Sequence, residues 1–336
     1  MDNPASSLYN EDMGYHEYFQ RAGRIQMNAD RARCAVVGAA NIDIGGFPAG
    51  LVAMGDSNPG RVRVSAGGVG RNIACNLARL GVETHLLTAL GGDAFAGIIR
   101  EDCAAAGVNL SHALECPEAG SSIYLFIADA DGDMRLAVND MAICARLTPE
   151  ALSSRLDWLN AMDAVILDAN LPSETLAFLA QNLRAPLFAD AVSAAKARKL
   201  LPILPRLRAL KPNALEAAVL TGMPVNDAPA VEAAARRLVS LGVERACVTL
   251  GERGVCIAGD GRARIIPGPP VRMVNATGAG DAFIAALAWA DLRGMDLTDS
   301  ARAGLAAASI AVESPETVSP ALSAEALLSR MSDISE

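Results

Sequence analysis

Lysine is almost absent: in 336 residues it occurs only at positions 196, 199 and 211, so the basic charge is carried by arginine. The net charge is −9, which excludes a surface for nucleic acid or acidic lipid, since such partners require clustered cations to displace counterions. No run approaches eighteen apolar residues, and the start carries no basic segment followed by an apolar one. A spanning helix and a secretory leader are therefore not expected, and a soluble, cytoplasmic protein is. The seven cysteines at 34, 75, 103, 116, 144, 247 and 256 form no CxxC pair, which argues against a disulfide framework or a thiolate metal site and for reduced core thiols. Gly-Lys-Ser and Gly-Lys-Thr do not occur, excluding a P-loop. His16, His85 and His112 have no nucleophile pattern beside them, so a hydrolytic triad has no support.

What is present is a chain of 51 % hydrophobic and 20 % charged residues, able to bury a large core in one big domain or two smaller ones. Residues 1–32 hold Tyr9, Tyr15 and Tyr18 with little periodicity and read as an extension. From Cys34 to Asp43 the pattern is a buried strand ending in Asn41 and Asp43 at its C-terminal edge, where ligands bind in α/β sheets. Residues 44–65 are rich in Gly and Pro, with Arg61 to Val64 alternating as a strand. Residues 121–128 and 134–139, joined by Asp131-Gly132-Asp133, read as a hairpin, and the two regions together predict a small sheet. Elsewhere strands (84–90, 164–167, 187–189, 207–211, 245–250) alternate with helices (98–106, 173–183, one reaching Leu204, and one after Asn213). Such alternation means an α/β fold, a doubly wound, mostly parallel sheet covered on both faces.

The chemistry gathers in two glycine-rich helix starts. In Val274-Asn275-Ala276-Thr277-Gly278-Ala279-Gly280-Asp281-Ala282-Phe283 the apolar periodicity begins just after the glycines. The free N–H groups and positive dipole end of a helix start favour an anion, and Asp281 in the first turn puts a base beside it. In Gly67-Gly68-Val69-Gly70-Arg71-Asn72-Ile73 the third place of a dinucleotide fingerprint is Ile, so a Rossmann site is not supported. The run can instead bring backbone and Asn72 to a small polar ligand, or be a turn without one. Phosphoryl transfer needs an anion cradle, a metal near the phosphates, a base and an acceptor site. Gly278, Ala279 and Gly280 supply the first, Asp281 the base, and Asn213 with Glu216 can face a metal together, although the same pair also reads as a helix cap and a surface charge. Asn41, Asp43 and Asn72 can hold a polyhydroxyl acceptor, and Thr249-Leu250-Gly251-Glu252-Arg253-Gly254 suits backbone contact with a nucleotide.

These motifs resemble the ribokinase-type (PfkB) carbohydrate and nucleoside kinases from about residue 34 to 330: Gly67-Gly68 with Asn72 is similar to their first signature, and Asn275 to Phe283 to their second. Within the family, Gly67 to Ala74, Asn139-Asp140-Met141, and Asp190 to Ser193 ahead of Lys211-Pro212-Asn213 are most similar to pseudouridine kinases. The resemblance implies a kinase domain over 33–330 with a small β lid (about 44–65 and 120–140), a deep cleft, and a homodimer formed through the lid. It implies ATP and Mg²⁺, with Lys211, Asn213, Thr249, Gly251, Gly254, Leu305 and Ala308 toward the nucleotide and Asn213 with Glu216 toward the metal. Asp281 would deprotonate a sugar 5′-hydroxyl and the Ala279 and Gly280 amides would meet the γ-phosphoryl. Gly68, Asn72, Asn41 and Asp43 would hold the ribose, and Asn139 would reach the base. Many members carry Asp where this chain has Asn275, which puts monovalent-cation activation in doubt. The function implied is phosphorylation of pseudouridine at its 5′-hydroxyl. The alternatives are a kinase of uridine, adenosine or ribose, and a catalytically silent sugar- or nucleotide-binding regulator, against which the intact Asp281, Gly280, Asn213 and Glu216 speak.

Overall fold

The computed structural model describes residues 32–129, 134–259 and 261–334. Apart from Ala32, the extension lies outside these residues, as does the Asp131-Gly132-Asp133 turn. The large sheet contains β1 (Arg33–Val37), β4 (Glu83–Leu87), β9 (Ala164–Asp168), β10 (Leu187–Asp190), β11 (Leu207–Lys211), β12 (Arg245–Thr249), β13 (Val255–Gly259) and β14 (Arg262–Ile266), in the order β14-β13-β12-β11-β10-β9-β1-β4. The pairings from β4 to β12 are parallel, while β13 and β14 add an antiparallel edge hairpin that the sequence pattern had not suggested.

Alternate residues of the parallel strands enter two separate cores. Cys34, Val36 and Ile166 join the cluster beneath α1 (Val69–Arg79), α9 (Ala279–Asp291) and α10 (Leu297–Val312). Ala35, Val37, Val165 and Leu167 join the cluster that also takes in α5 (Ser173–Asn182) and α8 (Ala228–Ser240). Strands apolar on both faces are what a doubly covered parallel sheet demands. All seven cysteines are buried free thiols, as expected.

The second sheet, ordered β3-β2-β7-β8, consists of β2 (Asn41–Pro48), β3 (Gly60–Gly67), β7 (Ser122–Ala128) and β8 (Met134–Asp140). Two shorter strands, β5 (Ala89–Gly91) and β6 (Leu114–Cys116), pair in parallel. Helix α2 (Ala94–Ala105) starts earlier than the periodicity suggested because Asp93 caps it, accepting from Ala96 N at 3.1 Å.

Three expectations need correction. The run from Cys34 to Asp43 is two strands in different sheets: the chain leaves the large sheet at Gly38, where a Cβ would lie 2.4 Å from Asp168 Oδ2, and Ala39 N donates to that oxygen at 2.8 Å. Asn41 and Asp43 therefore open the second sheet rather than edge the first. The strand expected over 84–90 is broken at Thr88, whose hydroxyl accepts from Ala40 N and whose carbonyl accepts from Leu114 N. The helix expected to reach Leu204 is one turn, α6 (Ala194–Ala197), followed by 3₁₀ turns over Arg198–Arg206, since Pro202 and Pro205 lack the N–H of an α-helical ladder.

Helix α9 packs closely on α10. At Gly304 a Cβ would meet three atoms of the buried Phe283 ring at 2.7–2.8 Å. Gly304→Ala is expected to lower unfolding stability by about 1–3 kcal/mol through overpacking, in spite of the better helix propensity of Ala, as read by urea denaturation; an unchanged midpoint would refute it.

Candidate active site

The parallel strands end in polar residues that share one edge. Thr88 follows β4, Gly38 and Ala39 follow β1, and Asp168, Asp190, Lys211 and Thr249 close β9, β10, β11 and β12. Register makes Asp168 and Lys211 the two neighbours of Asp190, and Lys211 Nζ lies 3.0 Å from Asp190 Oδ2. The other two lysines turn to the same edge: Lys196 donates to Asn170 Oδ1 at 2.5 Å, and Lys199 to the carbonyls of Ala169 and Leu171.

Two helix starts meet above this edge. Gly68, at φ 97°, enters α1; a side chain there would meet Ala39 O at 2.6 Å and Asn41 N at 2.9 Å. Gly278, at φ 85°, enters α9, where a Cβ would lie 2.1 Å from Thr317 O. Only glycine combines such a backbone with so close an approach. No side chain caps α9, so its first-turn N–H groups stay available, and Lys211 Nζ lies 2.7 Å from where a Cβ on Gly280 would be. The two starts are joined by one hydrogen bond, Asn72 Nδ2 to Asp281 Oδ2 at 2.8 Å.

Asp281 is 8 % exposed. Burial and then the negative charge of Asp190 push its pKa up to about 8, against the Asn72 amide and the Lys211 ammonium, which favour the ionised form. Burial likewise opposes charge on Lys211, but Asp190 and Glu216 outweigh it and its pKa ends above the ordinary lysine value. Burial raises Asp168 and Glu216 as well.

Asn213 and Glu216 form a complete capping box at the start of α7 (Ala214–Thr221): Asn213 Oδ1 accepts from Glu216 N at 2.9 Å and Glu216 Oε2 accepts from Asn213 N at 2.8 Å. Glu216 is buried, not the surface charge its type suggests, and the arrangement leaves its Oε1 outside the box. Among the described residues no group of three or more His, Cys, Asp or Glu is arranged to hold a metal. Thr249 is bridged to Asn213, and Gly251 (φ 64°) and Gly254 (φ 92°) form the turn after β12. Leu305 is buried and Ala308 half-buried on α10.

On the second sheet Asn41 Nδ2 donates to Asp43 Oδ1 at 2.6 Å. Burial raises the Asp43 pKa against Asn41 and Arg71. Pairing aligns Ser65, Asp43, Tyr124 and Asn139 in one row on one face, with Phe126 against both Tyr124 and Phe47. Thus Asn41, Asp43, Gly68, Asn72 and Asp281 come together, and Asn139 stands farther out, exposed. Asp168 and Asp190 had not been singled out as site residues; Asp190 had entered only within the Asp190 to Ser193 similarity, and the signal for Asp168 was a polar residue closing its strand.

Two glycine helix starts facing a strand edge, one carrying a buried carboxylate, occur here in a chain whose residues 31–324 match the family model for pfkB family carbohydrate kinases. The chain belongs to the pfkB family. It is a phosphotransferase acting on a hydroxyl group. This pfkB kinase is 36 % identical over 317 residues to the Escherichia coli K12 protein described as uncharacterized sugar kinase YeiI (92 % of this chain, 87 % of that one). It is 34 % identical over 290 residues to the pseudouridine kinase of the same organism (86 % and 93 %). A carbohydrate kinase from Agrobacterium tumefaciens superposes with a TM-score of 0.82 at 32 % identity, covering 91 % of this chain and 98 % of that one. No helix among the described residues is long and apolar enough to cross a membrane.

The raised Asp281 pKa has a consequence for stability. The folded state keeps a proton that the unfolded chain releases at the ordinary carboxylate value, so stabilisation is complete below that value and is lost as pH rises to about 8. Asp281→Asn cannot ionise, and its Tm is expected to exceed that of the native protein by more at about pH 8.5 than at about pH 5.5; a pH-independent difference would contradict this.

Proposed function

We propose that this kinase transfers the γ-phosphoryl group of ATP to the 5′-hydroxyl of pseudouridine. The observation that carries the reading is the buried Asp281 carboxylate in the first turn of α9, next to uncapped helix N–H groups and facing Asn72. A base must lie within hydrogen-bond reach of the hydroxyl it activates, and a pKa raised toward neutrality suits a proton acceptor. The Ala279 and Gly280 amides would receive the charge developing on the γ-phosphoryl, with the Lys211 ammonium beneath them. The family implies ATP, and Thr249, Gly251, Gly254, Leu305 and Ala308 would line its path. Mg²⁺ is usually held by one or two carboxylates together with substrate phosphates; the free Oε1 of Glu216 beside Asn213 fits that need, and the ion would neutralise phosphate charge.

The acceptor reading rests on the second sheet, which would act as a lid. Asp43 and Asn72 would hold the ribose hydroxyls. Asn139 lies two strands from Asp43, roughly 10 Å along the hydrogen-bonding direction. That span matches a nucleoside better than a free sugar, with Tyr124 and Phe126 offering an aromatic surface to the base. The similarity to a pseudouridine kinase favours that nucleoside; the similarity to a sugar kinase keeps another sugar or nucleoside as the second reading.

Asn275 bridges two segments: its N–H donates to Val312 O, its Oδ1 accepts from Thr277 N, and its Nδ2 reaches Pro315 O at 3.4 Å. An amide donor facing that carbonyl supports activity without a monovalent cation. In an ADP-release assay with Mg-ATP, pseudouridine is expected to exceed uridine, adenosine and ribose, with potassium leaving the rate unchanged. Asp281→Ala is expected to lose on the order of 10²- to 10⁴-fold. Equal rates for all acceptors would sink the substrate assignment.

The face of the lid away from Asp43 carries two complete apolar rows, Val64-Ile44-Leu125-Val138 and Val62-Gly46-Ile127-Leu136. Val62 is 72 % exposed, Leu136 57 % and Val138 59 %. A continuous apolar face of this kind suits a second copy of the chain. Val138→Asp is expected to convert a dimer to a monomer in analytical ultracentrifugation; a monomeric native protein would contradict the assignment.

A further inference from the structure

Arg71 has no part in the roles given above, although it is one of the few buried cations of the site. It lies in the first turn of α1, 6 % exposed. Its Nη1 donates to Asn72 Oδ1 at 2.9 Å and to Ala66 O at 3.3 Å, and its Nη2 pairs with the Asp102 carboxylate on α2. These three acceptors come from different elements. Ala66 is the next-to-last residue of β3, just before Gly67-Gly68 joins the second sheet to α1, so the guanidinium spans the point where the second sheet joins the kinase core.

The consequence concerns Asn72. An asparagine amide has an accepting end and a donating end, and its terminal torsion is soft, so nothing intrinsic selects which end faces a neighbour. A guanidinium can only donate. Facing Asn72, it obliges Oδ1 to turn toward the guanidinium, which leaves Nδ2 to donate to Asp281 Oδ2. With Asp281 ionised, the state in which it acts as a base, the flipped amide would place an oxygen against the carboxylate and an NH₂ group against the guanidinium, repulsive at both ends. The Asn72 backbone is anchored separately, its carbonyl accepting from Asn76 Nδ2 at 2.9 Å.

We propose that Arg71 is a positioning residue: by holding the Asn72 amide in one orientation from the junction of the second sheet with α1, it aims the Asp281 carboxylate at the acceptor hydroxyl. Arg71 does not touch Asp281 and reaches it through Asn72; its charge also favours the ionised form of Asp43, an effect that falls on acceptor binding rather than on the aim of Asp281. The other groups facing Asp281, namely Asp190 from β10, Asp168 from β9 and Lys211 from β11, are untouched by changes at Arg71. A planar, multiply donating head suits the task, since a single ammonium cannot serve three acceptors spread over β3, α1 and α2 with the same geometry.

The inference rests on Asp281 being the base, and the test separates the two. Arg71→Met is expected to lower kcat about 10- to 100-fold, the scale of a misplacement of about 1 Å, while KM for Mg-ATP stays within about twofold. In an Asn72→Ala background the same change is expected to cost little more, because the group through which Arg71 acts is gone. Asp102→Asn, which keeps Arg71 but removes its ion pair at a half-exposed partner, is expected to lower kcat in the same direction by less, and it carries the test if Arg71→Met does not fold. Unchanged kcat in the folded variants, or losses from Arg71→Met (or Asp102→Asn) and Asn72→Ala that simply multiply, would overturn the positioning role. Asp281→Asn is measured alongside: activity retained there removes the base reading itself, whereas an inactive Asp281→Asn with a fully active Arg71→Met removes only the inference about Arg71.

Discussion

A carboxylate taken out of water must be compensated, and the arrangement around Asp281 is organised by that requirement. Desolvation alone costs several kcal/mol for an ionised group in a protein interior, and three further carboxylates, Asp168, Asp190 and Glu216, are buried nearby. Lys211 serves two of these and Asp281 itself, pairing directly with Asp190 and feeling Glu216 and Asp281, while Lys199 feels Asp168. The balance is incomplete, so Asp281 holds its proton to about pH 8. A group in that state can exchange a proton near neutrality, which neither an exposed aspartate nor a fully paired one can do.

The position of this carboxylate depends on topology. Parallel strands put all their C-terminal ends on one edge, and the helices that follow or precede them bring their N-termini to it. Asp168, Asp190 and Lys211 become neighbours because their strands pair in register, and Thr249 stands opposite Asn213. The helices α1 and α9 then deliver Asn72 and Asp281 from opposite ends of the chain, 209 residues apart, to within one hydrogen bond. The packing beneath them is equally specific, with Trp289 Nε1 on α9 donating to Leu80 O at the end of α1.

The second sheet has two faces of opposite character. One presents Asp43, Tyr124 and Asn139; the other presents valine, leucine and isoleucine, much of it exposed. Since side chains alternate along a strand, a single register sets both faces at once, and a slip by one residue would exchange them. Arg71 links this sheet to the chemistry by touching the end of β3 and the Asn72 amide with one guanidinium.

Much of this was readable in the linear chain because it depends on local spacing. Gly278 to Asp281 marks a helix start with a carboxylate in it, alternation from 164 to 250 marks the parallel sheet, and Asn213 with Glu216 marks a cap, which the structure realises in full. The breaks at Gly38 and Thr88 were not readable, because they arise from contacts to Asp168, Ala40 and Leu114 in other segments. The same holds for the Asp168-Asp190-Lys211 row and for the Arg71-Asn72-Asp281 chain. Local periodicity specifies which elements form and which residue types stand at their ends. Strand register and helix docking decide which of those ends meet, and hence which carboxylate is buried, which amide faces it and which cation is near enough to matter.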